Sequence, residues 1–172
     1  RVYRVIAVGA LATVVVIACA RNIAATFDRV RDAEQEQMER LLPVVRERGT
    51  GERVYVMSYN ISSAFPLINY AGARSASRFP QLWILGAVYL DQLRSTLPLR
   101  YRDAAEMGPS ERFLNQAVYE DLRDQLPKLL VVLQHARDLP VNGFRRLDYV
   151  AYFRRDPRIA GILEHYQRVA DV

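Results

Sequence analysis

Cysteine occurs once in the 172 residues, at Cys19, so the chain cannot close a disulfide on itself and carries no mark of its redox compartment. Histidine occurs twice, at His135 and His165, far apart. No HExxH or paired-cysteine spacing is present, and neither a metal nor a cofactor is expected. There is no G-x-S-x-G elbow and no Walker loop, and the serines between Ser58 and Ser77 have no histidine near them in sequence. Helix-turn-helix, RNP and zinc signatures are missing too, so nucleic acid is not an expected partner. Acid is absent over one long stretch: from Arg53 through Leu90 there is neither Asp nor Glu.

What is present starts with an uncharged apolar run, Val5 to Ala20, closed by Arg4 and Arg21. It is shorter than the roughly 20 residues a bilayer core requires, but Arg4 and Arg21 can snorkel and Tyr3 can sit at the interface. The expectation is a transmembrane helix over 1–21, the last span of a truncated bundle. A buried core helix and a signal-peptide segment are the alternatives. The chain opens with this run already under way, so it is expected to be the tail of a longer polypeptide. Arg1 and Arg4 on one side and Arg21, Arg29 and Arg31 on the other leave orientation undecided. The overall balance, 24 basic against 19 acidic side chains, favours an anionic partner, lipid phosphate among them.

Residues 22–52 read as an amphipathic exit helix and turn. Phe27, Val30, Met38, Leu41, Leu42 and Val45 recur at helical spacing among charged neighbours, Pro43 should kink or split the helix, and Gly49 with Gly51 ends it. These glycines precede a strand instead of following one, so they are not a dinucleotide fingerprint. Arg53 to Ser58, RVYVMS, is that strand. It leads into NYAGARSASRFPQLW, Asn69 to Trp83, where a site beyond the carboxyl end of a strand would lie. If Tyr70 to Arg78 is helical, Tyr70, Arg74 and Arg78 form a basic stripe at i, i+4 and i+8. Guanidinium forks suit a phosphate or carboxylate. The competing role is structural, with both arginines held by distant acids such as Asp91, Glu106 or Asp156. Phe79-Pro80 ends this helix, and QLWILGAVYL follows as an apolar strand or helix with Trp83 in the core.

Pro109, Ser110 and Glu111 open a helix that buries Phe113, Ala117, Val118 and Leu122 and turns Glu120, Asp121, Arg123 and Asp124 outward, and Pro127 stops it. Leu129 to Gln134 is a short apolar strand, so helix and strand alternate as a parallel sheet requires. The last helices divide at Asp156-Pro157, an N-cap followed by a first helical residue. Asp156 is also a candidate partner for Arg74 or Arg78, or a ligand contact. Tyr149, Tyr152, Phe153 and Tyr166 belong to the core or its rim.

Three pieces together, the strand running into AFP near Phe65-Pro66, the SRFPQLW box and the FRRDPR helix start, resemble the C-terminal portion of bacterial multi-pass inner-membrane proteins of the polyprenyl- and dolichyl-phosphate-mannose mannosyltransferase-like class. The resemblance covers most of the chain after Arg53. It implies an inner-membrane protein whose soluble α/β domain is periplasmic, a polyprenyl-phosphate sugar as donor, partner membrane helices upstream, and a catalytic acidic loop outside this chain. The expected fold is therefore α/β: a transmembrane helix, an exit helix, and a domain over 53–172 with a short, mainly parallel sheet flanked by helices. Asn69, Tyr70, Arg74, Arg78 and Asp156 are the candidate substrate-binding residues. A noncatalytic, membrane-anchored module for an anionic glycan or protein is the other expectation.

Overall fold

The computed structural model describes residues 16–22, 25, 35–58, 61–95, 99–132 and 147–170. Two units separate, Arg1–Gln35 and Glu36–Val172. In the first, residues 16–22 are helical with Val16 and Ile17 exposed. Most of the expected span lies outside the described residues, and among those described no helix is long and apolar enough to cross a membrane.

The second unit is built on three parallel strands, β1 (Arg53–Met57), β2 (Arg74–Ser75) and β3 (Leu129–Val132), in the order β2-β1-β3. β1 is central and covered on both faces, which is why its sequence runs nearly continuously apolar. Strand periodicity divides its side chains cleanly between two cores. Val54 and Val56, with Val131, pack under α1 (residues 36–49 of this unit) and α2 (Ile61–Tyr70) through Val45, Ala64, Leu67, Ile68 and Ala71. Tyr55 and Met57 face the larger layer, α3 (Trp83–Val88), α4 (Leu90–Arg94), α5 (Pro109–Gln125), α6 (Tyr149–Phe153) and α7 (Pro157–Leu163). Parallel strands force the chain to cross over between them, and the β1–β2 connection runs through α2 while the β2–β3 connection runs through α3, α4 and α5.

Several expectations hold: β1, β3, the Pro109 start of α5, the end of α1 at Gly49, and a short parallel sheet between helices. Others are corrected. Residues 35–49 stay helical through Pro43, so no final turn is split off there. The segment from Tyr70 to Arg78 is not a helix. α2 begins soon after β1 and is complete at Tyr70, Gly72 turns the chain at a φ of 65°, and Arg74 enters β2. Glycine suits that turn because a Cβ disfavours positive φ. Trp83's segment, expected as strand or helix, forms α3, and Trp83, expected in the core, is 52% exposed. The buried positions Leu82, Leu85, Tyr89 and Leu93 follow helical spacing, and Trp83 falls off that phase.

Packing at the α1–β1 corner is tight enough to test. A Cβ on Gly49 would stand 2.9 Å from Cγ2 of Val54, a fully buried and β-branched neighbour with little freedom to move. Gly49→Ala is expected to destabilise the unit by about 2 kcal/mol through overpacking. A lower urea midpoint at unchanged slope is the predicted result, and an unchanged midpoint would contradict the packing described.

Candidate functional site

The candidate residues are dispersed by the fold. Arg78 lies just past β2, and its charge is answered by α5: Nε donates to Oδ1 of Asp121 at 2.7 Å, its backbone N–H to Oδ2 at 3.0 Å, and Nη2 stands 2.9 Å from Glu120. Asp121 is almost fully buried, whereas the Arg78 side chain is 44% exposed. This is a two-sided clamp tying the end of β2 to α5. The acids that satisfy Arg78 are neither Asp91, Glu106 nor Asp156, and Asp121 does not face outward as expected.

Asp156 has its own partners. It caps α7, accepting from the Arg158 backbone N–H at 3.0 Å, and pairs with Arg158 Nη2 at 2.7 Å. The Arg158 hydrogen bond holds its carboxyl below the ordinary value despite partial burial. Arg158 also reaches Gln116 at 2.9 Å and lies over the Tyr119 ring at 4.5 Å. Asp156 is thus bound to α5 through Arg158 and does not meet Arg74 or Arg78.

Asn69, Tyr70 and Arg74 do come together, at the amino-terminal edge of the sheet and not its carboxyl edge. α2 returns the chain there before β2 starts, and in a parallel sheet the turns preceding all three strands share that edge. Asn69 accepts the Gly72 N–H at 3.1 Å, and Gly51 N–H donates to Gly72 O at 2.9 Å. Arg53 and Arg74, the first residues of β1 and β2, are register partners. Each guanidinium donates to a backbone carbonyl, Arg53 to Gln125 at 3.2 Å and Arg74 to Gly51 at 2.8 Å. Arg46 does the same to Tyr70 at 3.1 Å. Among the described residues none of these three has a carboxylate partner, while Lys128 beside them is paired with Glu52 at 3.1 Å.

A second polar group lies wholly inside. The Glu111 carboxylate has no exposure. Its Oε1 accepts from the hydroxyls of Tyr89 at 2.6 Å and Tyr152 at 2.9 Å, while Arg102 Nη1 stands 3.7 Å from Oε2. Asn115 donates to the Tyr152 hydroxyl at 2.7 Å, and the Arg102 backbone N–H to the Tyr89 hydroxyl at 2.9 Å. Arg155 covers the Tyr101 and Tyr152 rings, each 5.6 Å away. A substrate cannot reach a carboxylate so enclosed, so the group acts as a fastening between α3–α4, α5 and α6. Sequence reasoning missed it, although Glu111, Leu114, Asn115, Val118, Asp121 and Leu122 share one helical face, and drawing that face through Leu114 instead of Phe113 would have placed Glu111 and Asp121 inside.

Trp83 and Phe113, both expected in the core, instead flank an open apolar hollow of about 530 Å³ with Ile84, Ala87, Val88 and Pro109. Among the described residues no group of three His, Cys, Asp or Glu side chains is placed to hold a metal ion.

The fold and these sites together define a small three-stranded parallel α/β unit. Compared with protein-family models, curated proteins and solved structures, the chain matches none of them.

Two outcomes test the fastenings. Arg78→Ala leaves Asp121 buried without its cation and is expected to cost about 2 kcal/mol, below the usual figure for a buried pair because Arg78 is partly solvated. Urea unfolding checks it, and a neutral result would mean that the clamp does not hold β2 to α5. For the Glu111 cluster, burial and then the Glu111 hydrogen bond push the Tyr89 hydroxyl from 10.0 up to about 12. A phenol whose folded value is raised holds its proton more tightly in the fold. Its contribution is therefore complete below pH 10.0 and is lost as the pH climbs through about 12. Stability of the wild type should fall across that window more steeply than that of Tyr89→Phe, and parallel curves would contradict the assignment.

Proposed function

We propose that residues 36–170 form a recognition domain that takes an oxyanion, a phosphate or carboxylate, on Arg74 with Arg53 and Arg46 beside it. The observation that carries this is the register pair: two guanidiniums start adjacent parallel strands, and neither has a carboxylate partner among the described residues. Each spends one of its five donors on a carbonyl and keeps the others for an anion. Arg78 and Asp156 drop out of the contact set because each is neutralised within the fold. Asn69 and Tyr70 remain as its neighbours.

The resemblance of the AFP, SRFPQLW and FRRDPR pieces to lipid-phosphate-sugar-dependent glycosyltransferases supports a fuller reading. In it this unit is the extracytoplasmic end of such an enzyme, and the oxyanion is the phosphate of a polyprenyl-phosphate sugar. The chemistry then belongs to another part of that protein. A membrane-attached binding module for an anionic glycan would use the same edge, since a carboxylate suits the same forks.

A short-chain, water-soluble prenyl phosphate is a sufficient probe, titrated calorimetrically against the full chain. Arg74→Ala is expected to weaken binding about fivefold or more, consistent with loss of a charge-assisted hydrogen bond, and to leave the unfolding free energy from urea titration within about 0.5 kcal/mol of wild type. Absence of phosphate binding by the wild type, or a loss of stability in Arg74→Ala with binding unchanged, would overturn the proposal.

A further inference from the structure

The same edge carries a feature that oxyanion contact alone does not require. Leu126 is the C-cap of α5, three residues before β3 begins at Leu129, and is 76% exposed, while Tyr70, at the end of α2, is 63% exposed. Leu126 has a φ of 43°, the left-handed region in which a helix end ordinarily places glycine or asparagine. A leucine there accepts backbone strain while gaining almost no burial, and strain of that kind persists where the side chain serves something other than the fold.

Hydrogen bonds fix Leu126 among the arginines. Arg53 Nη1 donates to the carbonyl of Gln125, one residue before Leu126, and the Lys128 N–H donates to Arg53 O at 2.9 Å, two residues after it. On the other side Arg46 Nε donates to Tyr70 O. An exposed leucine and an exposed tyrosine thus flank three guanidiniums without carboxylate partners among the described residues. Leucine enters hydrocarbon, tyrosine sits at the headgroup level with its hydroxyl wet, and arginine reaches phosphate oxygens from beside them. We infer that the amino-terminal edge of the sheet docks on an anionic bilayer surface, with Leu126 and Tyr70 inserted and Arg46, Arg53 and Arg74 on the lipid phosphates.

This rests on the oxyanion reading and names the source of the oxyanion. Charge complementarity favours an anionic membrane, because juxtamembrane arginines each strengthen attachment by about fivefold at such a surface. The apolar pair adds what a free phosphate or a nucleic-acid backbone would not use.

The test uses the full chain with an environment-sensitive NBD label at Leu126→Cys in a Cys19→Ser background, so the readout comes from this edge. Phosphatidylcholine vesicles containing phosphatidylglycerol are expected to shift the label's emission to the blue, whereas pure phosphatidylcholine should not. Arg53→Ala with Arg74→Ala should reduce the apparent affinity about 25-fold, two steps of about fivefold. No shift with anionic vesicles, an equal shift with neutral ones, or an equal shift with duplex DNA or polyglutamate would each overturn the docking. If the vesicles fail while the soluble prenyl phosphate still binds, the docking fails and the oxyanion reading stands. If both fail, the oxyanion reading falls with it. A second measurement guards against a purely structural Leu126: Leu126→Gly should unfold at the same or a higher temperature, because the strain is released. A markedly lower midpoint would show that the leucine serves the fold, and would overturn the inference.

Discussion

Burial of one carboxylate governs how the larger helical layer is assembled. A carboxylate removed from water without partners would cost far more than a domain's entire stability, so Glu111 can exist only where donors are brought to it. Two come from separate parts of the chain, Tyr89 between α3 and α4 and Tyr152 from α6, and Arg102 from the loop between adds its charge at 3.7 Å without a hydrogen bond. Because Tyr89 and Tyr152 must aim their hydroxyls at one point, their rings meet edge-on at 6.0 Å, and Tyr101, whose hydroxyl bonds the Asp148 backbone instead, packs edge-on against both at 5.5 and 5.2 Å. A polar requirement thereby organises an aromatic core.

The consequences travel along α5. Glu111 sits in its first turn, Asp121 on the same buried face further along, and Leu126 at its end. A helix of this length is a rod about 25 Å long, so fixing its start fixes where the other two fall. Asp121 then receives Arg78 and closes the carboxyl side of β2, and the α5 terminus presents Gln125 O to Arg53. One element thus seals one end of the sheet and helps build the other.

How much of this was legible in the sequence depends on the kind of signal. β1 announces itself because a central strand covered on both faces must be continuously apolar, β3 because it is a short, wholly apolar run after Pro127, and the α5 and α7 starts because proline after a capping position has few other uses. β2 was not visible: it is two residues long, polar, and held by backbone hydrogen bonds that any side chain would permit. Its invisibility made Tyr70, Arg74 and Arg78 read as one helical stripe, whereas Arg74 starts β2 at the amino edge and Arg78 follows β2 on the carboxyl side. Asp121 and Glu111 were missed for a different reason. Phe113 is the most apolar residue of its turn and drew the buried face towards itself, although it is half exposed. Of the five candidate residues the fold keeps Asn69, Tyr70 and Arg74 together, pairs Arg78 with Asp121, 43 residues away and invisible in the sequence, and holds Asp156 in the capping role its sequence already suggested, paired with Arg158.

Parallel topology also explains why arginines gather at the amino edge, and it sets the strictest alternative to ligand binding. The helices of an α/β unit run against its strands, so α1, α2 and α5 all point their C-termini, with partial charges of about −0.5 each, at the turns preceding β1, β2 and β3. Arg46 on Tyr70 O and Arg53 on Gln125 O are what such ends attract, with Arg74 on Gly51 O nearby. Helix ends could therefore account for the presence of the arginines. They do not account for the charge left over. Three guanidiniums against three such ends leave roughly half of the positive charge unanswered. The register pairing of Arg53 with Arg74 holds two like charges on neighbouring strands, a placement that opposes sheet formation. An anion lying between them would relieve that repulsion. The helix ends thus answer part of the charge at this edge, and the remainder is what the proposed oxyanion would meet.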